Sequence, residues 1–363
     1  MYGQLVRAPE QLRKAATPYV SVRVTDMQSV DIDAIRFDFD LTLAVVLMHP
    51  HGTIYHRYGS RPADGPTAWS SVDGLCTLLK ESIPEHAAHV AARVKHGVDT
   101  LPKWTPAIDR PALQHFLGDR QRPNCIHCHT IHESQQRYAR AQGSWRKEDR
   151  WLYPEPARIG LQMQAKDQSL IATVQEGSSA AEAGLRAGDR ILGMGRQPRV
   201  LTIADMMWAL HGLKSGPTML ATTYQRSGET RDTELKLRAN WKVVDAEQYA
   251  WRPYKWGLSP APGFGGPALD SGAKRSLGLD TDSFAFRVQY MVTWGPDAHR
   301  GRAVAKAGLR KGDVVISFAG KSDFASIDHF HAWVRLGHDA GELVEIEIHR
   351  DGHRQTLRYK LPK

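Results

Sequence analysis

The segment Cys125-Ile126-His127-Cys128-His129 holds two of the chain's three cysteines and two of its histidines within five residues. Three chemistries use those residue types at that spacing. Cys-x-x-Cys-His is the attachment pattern of haem c. Each thiol forms a thioether with a porphyrin vinyl group, and the adjacent imidazole, here His129, reaches the iron. Met163 is a candidate for the sixth ligand, but it falls at the start of another domain. The same thiols also form a redox dithiol that needs no cofactor. Cys125 is then the attacking residue and Cys128 the resolving one, with protonated His127 and His129 favouring the thiolate. Cys125, Cys128, His129 and His132 are, third, a donor set for Cu(I) or Zn(II). The plain alternative is a pair of free cysteines in a connecting segment. Cys76, the third cysteine, falls in an amphipathic helical pattern.

At 363 residues the chain has room for about two or three domains. Its apolar fraction of 41% is enough for each to bury a core. No apolar run of about 18 residues is present, so no transmembrane segment is expected. Met1-Tyr2-Gly3-Gln4-Leu5-Val6-Arg7 lacks the apolar stretch of an export signal. That conflicts with a covalent haem, which is attached outside the cytoplasm, so a haem reading implies a start further upstream or a leader already removed. The net charge of +9 is spread without a basic block, which argues against a nucleic-acid partner.

The positioning elements are clearest in the second half, which contains a repeat. Ala183-Gly184-Leu185-Arg186-Ala187-Gly188-Asp189-Arg190-Ile191-Leu192 recurs as Ala307-Gly308-Leu309-Arg310-Lys311-Gly312-Asp313-Val314-Val315-Ile316. The helical pattern Ile203, Met206, Met207, Leu210 matches Ile327, Phe330, His331, Val334. Each copy ends in two alternating runs, Thr218–Gln225 with Thr233–Leu237 and Leu343–His349 with Gln355–Leu361. Ser227-Gly228 and Asp351-Gly352 between them are hairpin signals. The motif glycines suit tight turns, and each Asp is placed to accept from turn N–H groups.

With Gly177-Ser178-Ser179-Ala180-Ala181 ahead of it, this pattern resembles bacterial PDZ domains, over about half of the chain. The resemblance implies a module that adds a peptide to a sheet edge and captures its terminal carboxylate in a loop. In the first copy that loop is Arg158-Ile159-Gly160-Leu161, with Thr202–Leu213 as the helical wall. In the second, Lys274-Arg275-Ser276-Leu277-Gly278-Leu279 is the candidate, and Gly257–Ala273 reads as a Gly/Pro-rich insertion. Alternatively both copies are spacers whose grooves are filled by neighbouring segments. Bacterial PDZ units often accompany serine proteases, but no Gly-x-Ser-x-Gly elbow is present and no domain-sized region remains for a triad.

In the N-terminal part, Tyr19–Thr25 alternates as a strand, Leu41–Met48 reads as a strand buried on both faces, and Thr53–Tyr58 returns after a turn at His49-Pro50-His51-Gly52. Helices are expected over Trp69–Leu79 and over Pro84–Lys95, the latter with Ala87, Val90, Ala91 and Val94 inward. The fragment from Phe37-Asp38-Phe39-Asp40-Leu41-Thr42-Leu43-Ala44 to Tyr55-His56-Arg57-Tyr58-Gly59 is similar to a family of bacterial thioredoxin-like/PDZ fusion proteins, some of them selenoproteins. The resemblance implies the second half of a thioredoxin fold. The family's first strand and catalytic Cys-x-x-Cys helix are missing, since Ala8–Lys14 already stands at or past that helix's end. Leu41-Thr42 replaces the proline before the buried strand. Thioredoxin catalysis is therefore not assigned, and a start inside the domain is expected. His49, His51 and His56 gather on the hairpin as candidate metal ligands, against the plainer reading that two of them flank a turn in solvent; His86, His89 and His96 share a helical spacing that reads as a solvated face rather than a metal site.

Together these readings make a multidomain α+β chain. An incomplete thioredoxin-like α/β domain (1–105) leads through a Cys-x-x-Cys-His segment (106–156) to two PDZ-like β-rich domains (157–240 and 241–363). The function expected is an extracytoplasmic, periplasmic redox or electron-transfer adaptor that docks a peptide or protein C-terminus. The alternative is a non-catalytic peptide-binding scaffold with a structural metal or disulfide at the cysteines. Any enzyme activity is of oxidoreductase type. Oligomeric state is not legible.

Overall fold

The computed structural model describes residues 9–41, 43–59, 61–65, 67–96, 103–118 and 125–362, without the side chains of 94–96. The expectations placed on residues 1–8, on Thr42, on Val94 and His96 and on the start of the cysteine segment at Asn124 lie outside them. The chain divides into two compact units, Met1–Val243 and Val244–Lys363. The first contains the expected N-terminal region, the cysteine segment and the first repeat copy together. Among the described residues no helix is long and apolar enough to cross a membrane.

The first unit opens with α1 (Glu10–Ala16) and a hairpin of β1 (Val45–Met48) and β2 (Ile54–Tyr58). Tyr19–Thr25 forms no strand. Alternation is present but among the described residues no strand pairs with it, and Val20 and Val22 stay 94% and 79% exposed. The apolar run before His49 makes only the four residues of β1, and of these only Leu47 is buried. The sheet implied by the thioredoxin resemblance thus amounts, among the described residues, to one hairpin.

Helix α2 (Val72–Glu81) starts later than expected because Ser71 caps it, its Oγ accepting from the Gly74 N–H at 3.2 Å. Leu75, Leu78 and Leu79 pack with Leu12 and Ala15 of α1 and with Leu47 and Tyr58. Helix α3 (Ile83–His96) follows. It turns Ala87, Val90 and Ala91 outward, while Glu85, His89 and Arg93 are the half-buried positions. Glu85 is drawn inward by His56, whose Nε2 is 2.8 Å away. An ion pair outweighs an apolar stripe made mostly of alanine, which has little area to bury.

A second core joins Met27, Val30, Phe37 and Phe39 to Leu113 of α4 (Pro111–Leu117) and Ile131 of α5 (Cys128–Ala141). The first repeat copy contributes β3 (Leu161–Met163), β4 (Ile171–Val174), α6 (Ser179–Glu182), β5 (Arg190–Met194), α7 (Ile203–His211), β6 (Thr218–Arg226) and β7 (Glu229–Leu237). β3 pairs with β4, and β5-β6-β7 form an antiparallel sheet around a core of Ile159, Leu161, Ile191, Met206 and Leu210.

The second unit contains α8 (Ala246–Tyr249), β8 (Phe264–Gly265), α9 (Ser271–Ser276), β9 (Phe286–Arg287), β10 (Tyr290–Met291), α10 (Ala298–Lys306), β11 (Val314–Phe318), α11 (Ile327–Gly337), β12 (Leu343–Arg350) and β13 (His353–Lys360). The sheet order is β13-β12-β11-β9, with β8 paired to β10. Phe264, Phe286, Phe318 and Phe330 form its core.

The two copies share their turn chemistry. Asp189 accepts from the Arg186 N–H and Asp313 from the Arg310 N–H, each at 2.8 Å. Arg226 and Arg350 clamp these carboxylates and also donate to the carbonyls of Gly184 and Gly308. The sequence expectation for both Asp residues is met, and the arginine clamp on each is an addition.

Candidate functional site

The hydrogen bonds of the turns place the two copies in register. Ile171 donates to Asp189 and accepts from Gly188, at 2.9 and 3.0 Å. Val288 donates to Asp313 and accepts from Gly312, each at 2.8 Å. Val288 therefore stands where Ile171 does. Three residues on, Val174 pairs with Leu161 and Met291 pairs with Phe264. The loop before β3 then has a counterpart before β8. Gly160 accepts from the Gln175 N–H at 2.9 Å, and Gly263 from the Val292 N–H at 2.7 Å.

Both glycines lie in the left-handed region, at φ 90° and 84°. A Cβ on Gly160 would fall 2.0 Å from Ser178 Oγ, and one on Gly263 would fall 2.6 Å from the Arg300 backbone. Only glycine fits either place. The counterpart of Ile159-Gly160-Leu161 is thus Pro262-Gly263-Phe264, inside the stretch read as an insertion. The candidate Lys274–Leu279 falls instead on the last turn of α9 and the residues after it, a helix that Asp270 caps through the Ala273 N–H at 2.8 Å. The Tyr359 hydroxyl donates to the Pro262 carbonyl of this matching segment at 2.9 Å.

In the first unit the residues picked from sequence fall together at the end of β3. Pro156–Ile159 make one turn of 3₁₀ helix, Ile159 and Leu161 enter the core, and Arg158 stays half-exposed. Among the described residues β3 is paired on one side only. Since Gly160 turns its carbonyl toward β4, alternation turns the Leu161 N–H to the open edge. The adjoining face of α7 is covered: Ile203, Met207 and Met163 pack with Trp69, Leu152 and Tyr153. The Tyr153 ring stacks on His211 at 4.1 Å.

The cysteine segment is held by a different set of bonds. Ile126 donates to Asp26 Oδ1 at 2.8 Å and its carbonyl accepts from the Met27 N–H at 3.0 Å. Cys125 is exposed and Cys128 is half-buried as the first residue of α5; all three cysteines are free thiols. A helix N-terminus favours thiolate, but burial raises the Cys128 pKa. His127 and His129 are exposed, with parallel rings 5.7 Å apart.

One turn of α5 separates Cys128 from His132, which is buried, while His129 points outward. Cys128 and His132 share a helix face at i,i+4, but among the described residues Cys125, Cys128, His129 and His132 are not a group whose donor atoms all lie within 4.8 Å of one another. His132 meets Asp38 and Asp40 instead. The three buried residues bring one donor atom each within 4.8 Å of one another, and His132 Nδ1 is 3.6 Å from Asp40 Oδ1. Two carboxylates and an imidazole suit a divalent cation. The hairpin histidines separate as well. His56 joins Asp205 and Glu85, while His49 and His51 lie ring to ring at 4.7 Å, with His86 and His89 of α3 within 5.7 and 5.1 Å of His49.

The family model of the PDZ domain matches residues 157–237. A tape measure protein of Escherichia phage N15 is 30% identical over 175 residues, covering 44% of this chain and 20% of the phage protein, so the chain spans about a fifth of that relative's length. Among solved structures, the HtrA-type protease AlgW with a decapeptide is similar at 16% identity and a TM-score of 0.24, covering 42% of this chain and 51% of that one. A serine-to-alanine variant of the same protease, also with a decapeptide, gives 18% identity and a TM-score of 0.25, covering 39% and 40%. The loop, the open edge of β3 and the family match agree: residues 157–237 are a PDZ domain.

Proposed function

We propose that this chain is a peptide-docking adaptor that adds the C-terminal segment of a partner as a strand. The observation that carries the reading is the open edge of β3, which starts at the left-handed Gly160 loop and runs beside α7. A PDZ domain at 157–237 supports it. The second unit repeats the same loop, strand pairing and helix, and we read it as a second docking module of PDZ type. A peptide entering the first groove meets Trp69, Leu152 and Tyr153 on the helix face; the two modules are therefore expected to bind unequally. Hydrogen–deuterium exchange of the whole chain with a saturating C-terminal decapeptide tests the idea. Protection is expected at 158–163 or 261–265. Binding without protection in either segment would reject strand addition.

A second reading keeps the cysteines active, because Cys125 is exposed at the head of α5 beside two exposed imidazoles. The donor set fits the attachment of haem c through Cys125 and Cys128, with His129 at the iron. A bound haem would supply one-electron transfer; without it the pair is a dithiol. Either chemistry places the chain outside the cytoplasm, where thioethers and stable disulfides form. Co-expression with a haem-maturation system separates them. A Soret band that survives acid acetone marks haem, and a colourless protein with a titratable pair of thiols marks the dithiol.

A further inference from the structure

The second unit buries a cation that, among the described residues, no carboxylate hydrogen-bonds, Asp297 acting on it only through its charge. Arg335 on α11 is 7% exposed. Its Nη1 donates to Nδ1 of His331 and to the His331 carbonyl, both at 3.1 Å. The Trp256 ring lies 5.0 Å from its guanidinium carbon. Among the described residues no carboxylate bonds to it, and its Nε–H has no acceptor. Burial lowers its pKa to about 9, which still leaves the guanidinium charged at neutral pH.

His331 is 3% exposed, and burial and the neighbouring cations hold it well below its ordinary pKa, so its ring is neutral. Because Nδ1 accepts from Arg335, the ring proton sits on Nε2. That second buried donor also has no acceptor. The unmet groups are therefore both donors, joined to one buried positive charge. Leaving such groups unpaired is costly, and a water molecule would satisfy the hydrogen bonds but not the charge.

The place is informative. His331 Nε2 and the Tyr290 hydroxyl approach within 3.0 and 2.6 Å of the point a Cβ on Gly265 would take. Gly265 directly follows the loop residue Phe264, where the incoming strand would end. In the first unit the matching helix positions are Met207 and His211, and Tyr153 covers His211. Where the first unit has a methionine and an imidazole that accepts from the Tyr153 N–H, the second has two unmet hydrogen-bond donors and a charge.

We propose that the second unit selects peptides whose last residue is acidic, the side-chain carboxylate accepting from Arg335 and from His331 Nε2 beside Gly265. This rests on the reading of that unit as a docking module. It makes Arg335 a specificity determinant that the loop alone does not provide.

The test uses the whole chain and fluorescein-labelled decapeptides that differ only in the last residue, Glu, Gln or Leu, each as free acid and as C-terminal amide. The Glu free acid is expected to bind about tenfold or more tighter than the Gln and Leu peptides, as a charge-assisted pair requires. The Glu amide should keep that preference over the Gln amide, which separates the side-chain carboxylate from the terminal one. Arg335→Met should abolish the preference, and Arg335→Lys should keep part of it. Equal binding across the wild-type series overturns the inference even if the Met variant fails to fold, and Arg335→Lys then assigns any preference to this residue. Equal binding of the Glu, Gln and Leu peptides, or a preference untouched in Arg335→Met, overturns this inference and leaves docking intact. Binding of no peptide in any form overturns both.

Discussion

His56 ties the β1–β2 hairpin to the PDZ helix α7, and its protonation should govern the stability of the first unit. The ring is wholly buried, with Nδ1 2.8 Å from Asp205 Oδ2 and Nε2 2.8 Å from Glu85 Oε2. Burial alone would lower its pKa, but the two carboxylates outweigh that and raise it to about 9 from an ordinary 6.5. A group whose folded pKa is raised stabilises the fold fully below its unfolded value and loses that contribution as pH climbs through the folded one. The window is therefore pH 6.5 to 9. At about 1.4 kcal/mol per pKa unit, the loss across it is about 3 kcal/mol. Urea unfolding at pH 6, 7.5 and 9, followed by fluorescence, should show wild-type stability falling by that order relative to His56→Asn, whose side chain does not titrate. Parallel pH profiles for the two proteins would refute the reasoning. Glu85 works in the opposite direction: its pKa is lowered, so its contribution fades as pH falls through the folded value.

Three further outcomes follow from the geometry. Gly160→Ala places a Cβ about 2 Å from Ser178 in a left-handed backbone and should cost about 2–4 kcal/mol in urea unfolding. Gly228→Ala, with φ 85° and nothing within 4 Å, should cost about 1 kcal/mol; equal losses would contradict the clash argument. Asp189→Asn and Asp313→Asn each weaken a buried carboxylate clamp whose arginine is only partly buried, and each should lower stability by about 2–3 kcal/mol, read as a shift of the denaturant midpoint without a change in slope. A maleimide pulse on the native chain should label Cys125 first, Cys128 slowly and buried Cys76 only on unfolding, as mass spectrometry of the peptides can show; Cys128 reacting as fast as Cys125 would contradict the burial that raises its pKa.

The repeat was legible because its turn chemistry is local. Asp189 and Asp313 bond to the N–H three residues before them, a distance that a sequence pattern encodes directly. The second loop was missed because proline stands at 262 where isoleucine stands at 159, and a run of Gly and Pro reads as irregular chain. The spacing of the repeat does not carry Gly160 onto Gly263, because the segments between differ in length; the strand pairing in the structure does. His331 and Arg335 were visible as polar residues at helix positions that are Met207 and His211 in the first copy, yet only packing shows that they are buried without an acceptor. The N-terminal region was the least legible. Tyr19–Thr25 has a strand's alternation without a partner, and α3 turns its alanines out because Glu85 is held by His56, a contact that no local pattern records.

The most direct measurement is a selection of displayed C-terminal peptides by the full chain, with the enriched sequences re-measured as free acids and as amides. The account predicts enriched ligands whose binding weakens about tenfold or more on amidation, together with protection of the segments at 158–163 or 261–265. Failure to enrich any C-terminal sequence, or ligands indifferent to amidation, would contradict it.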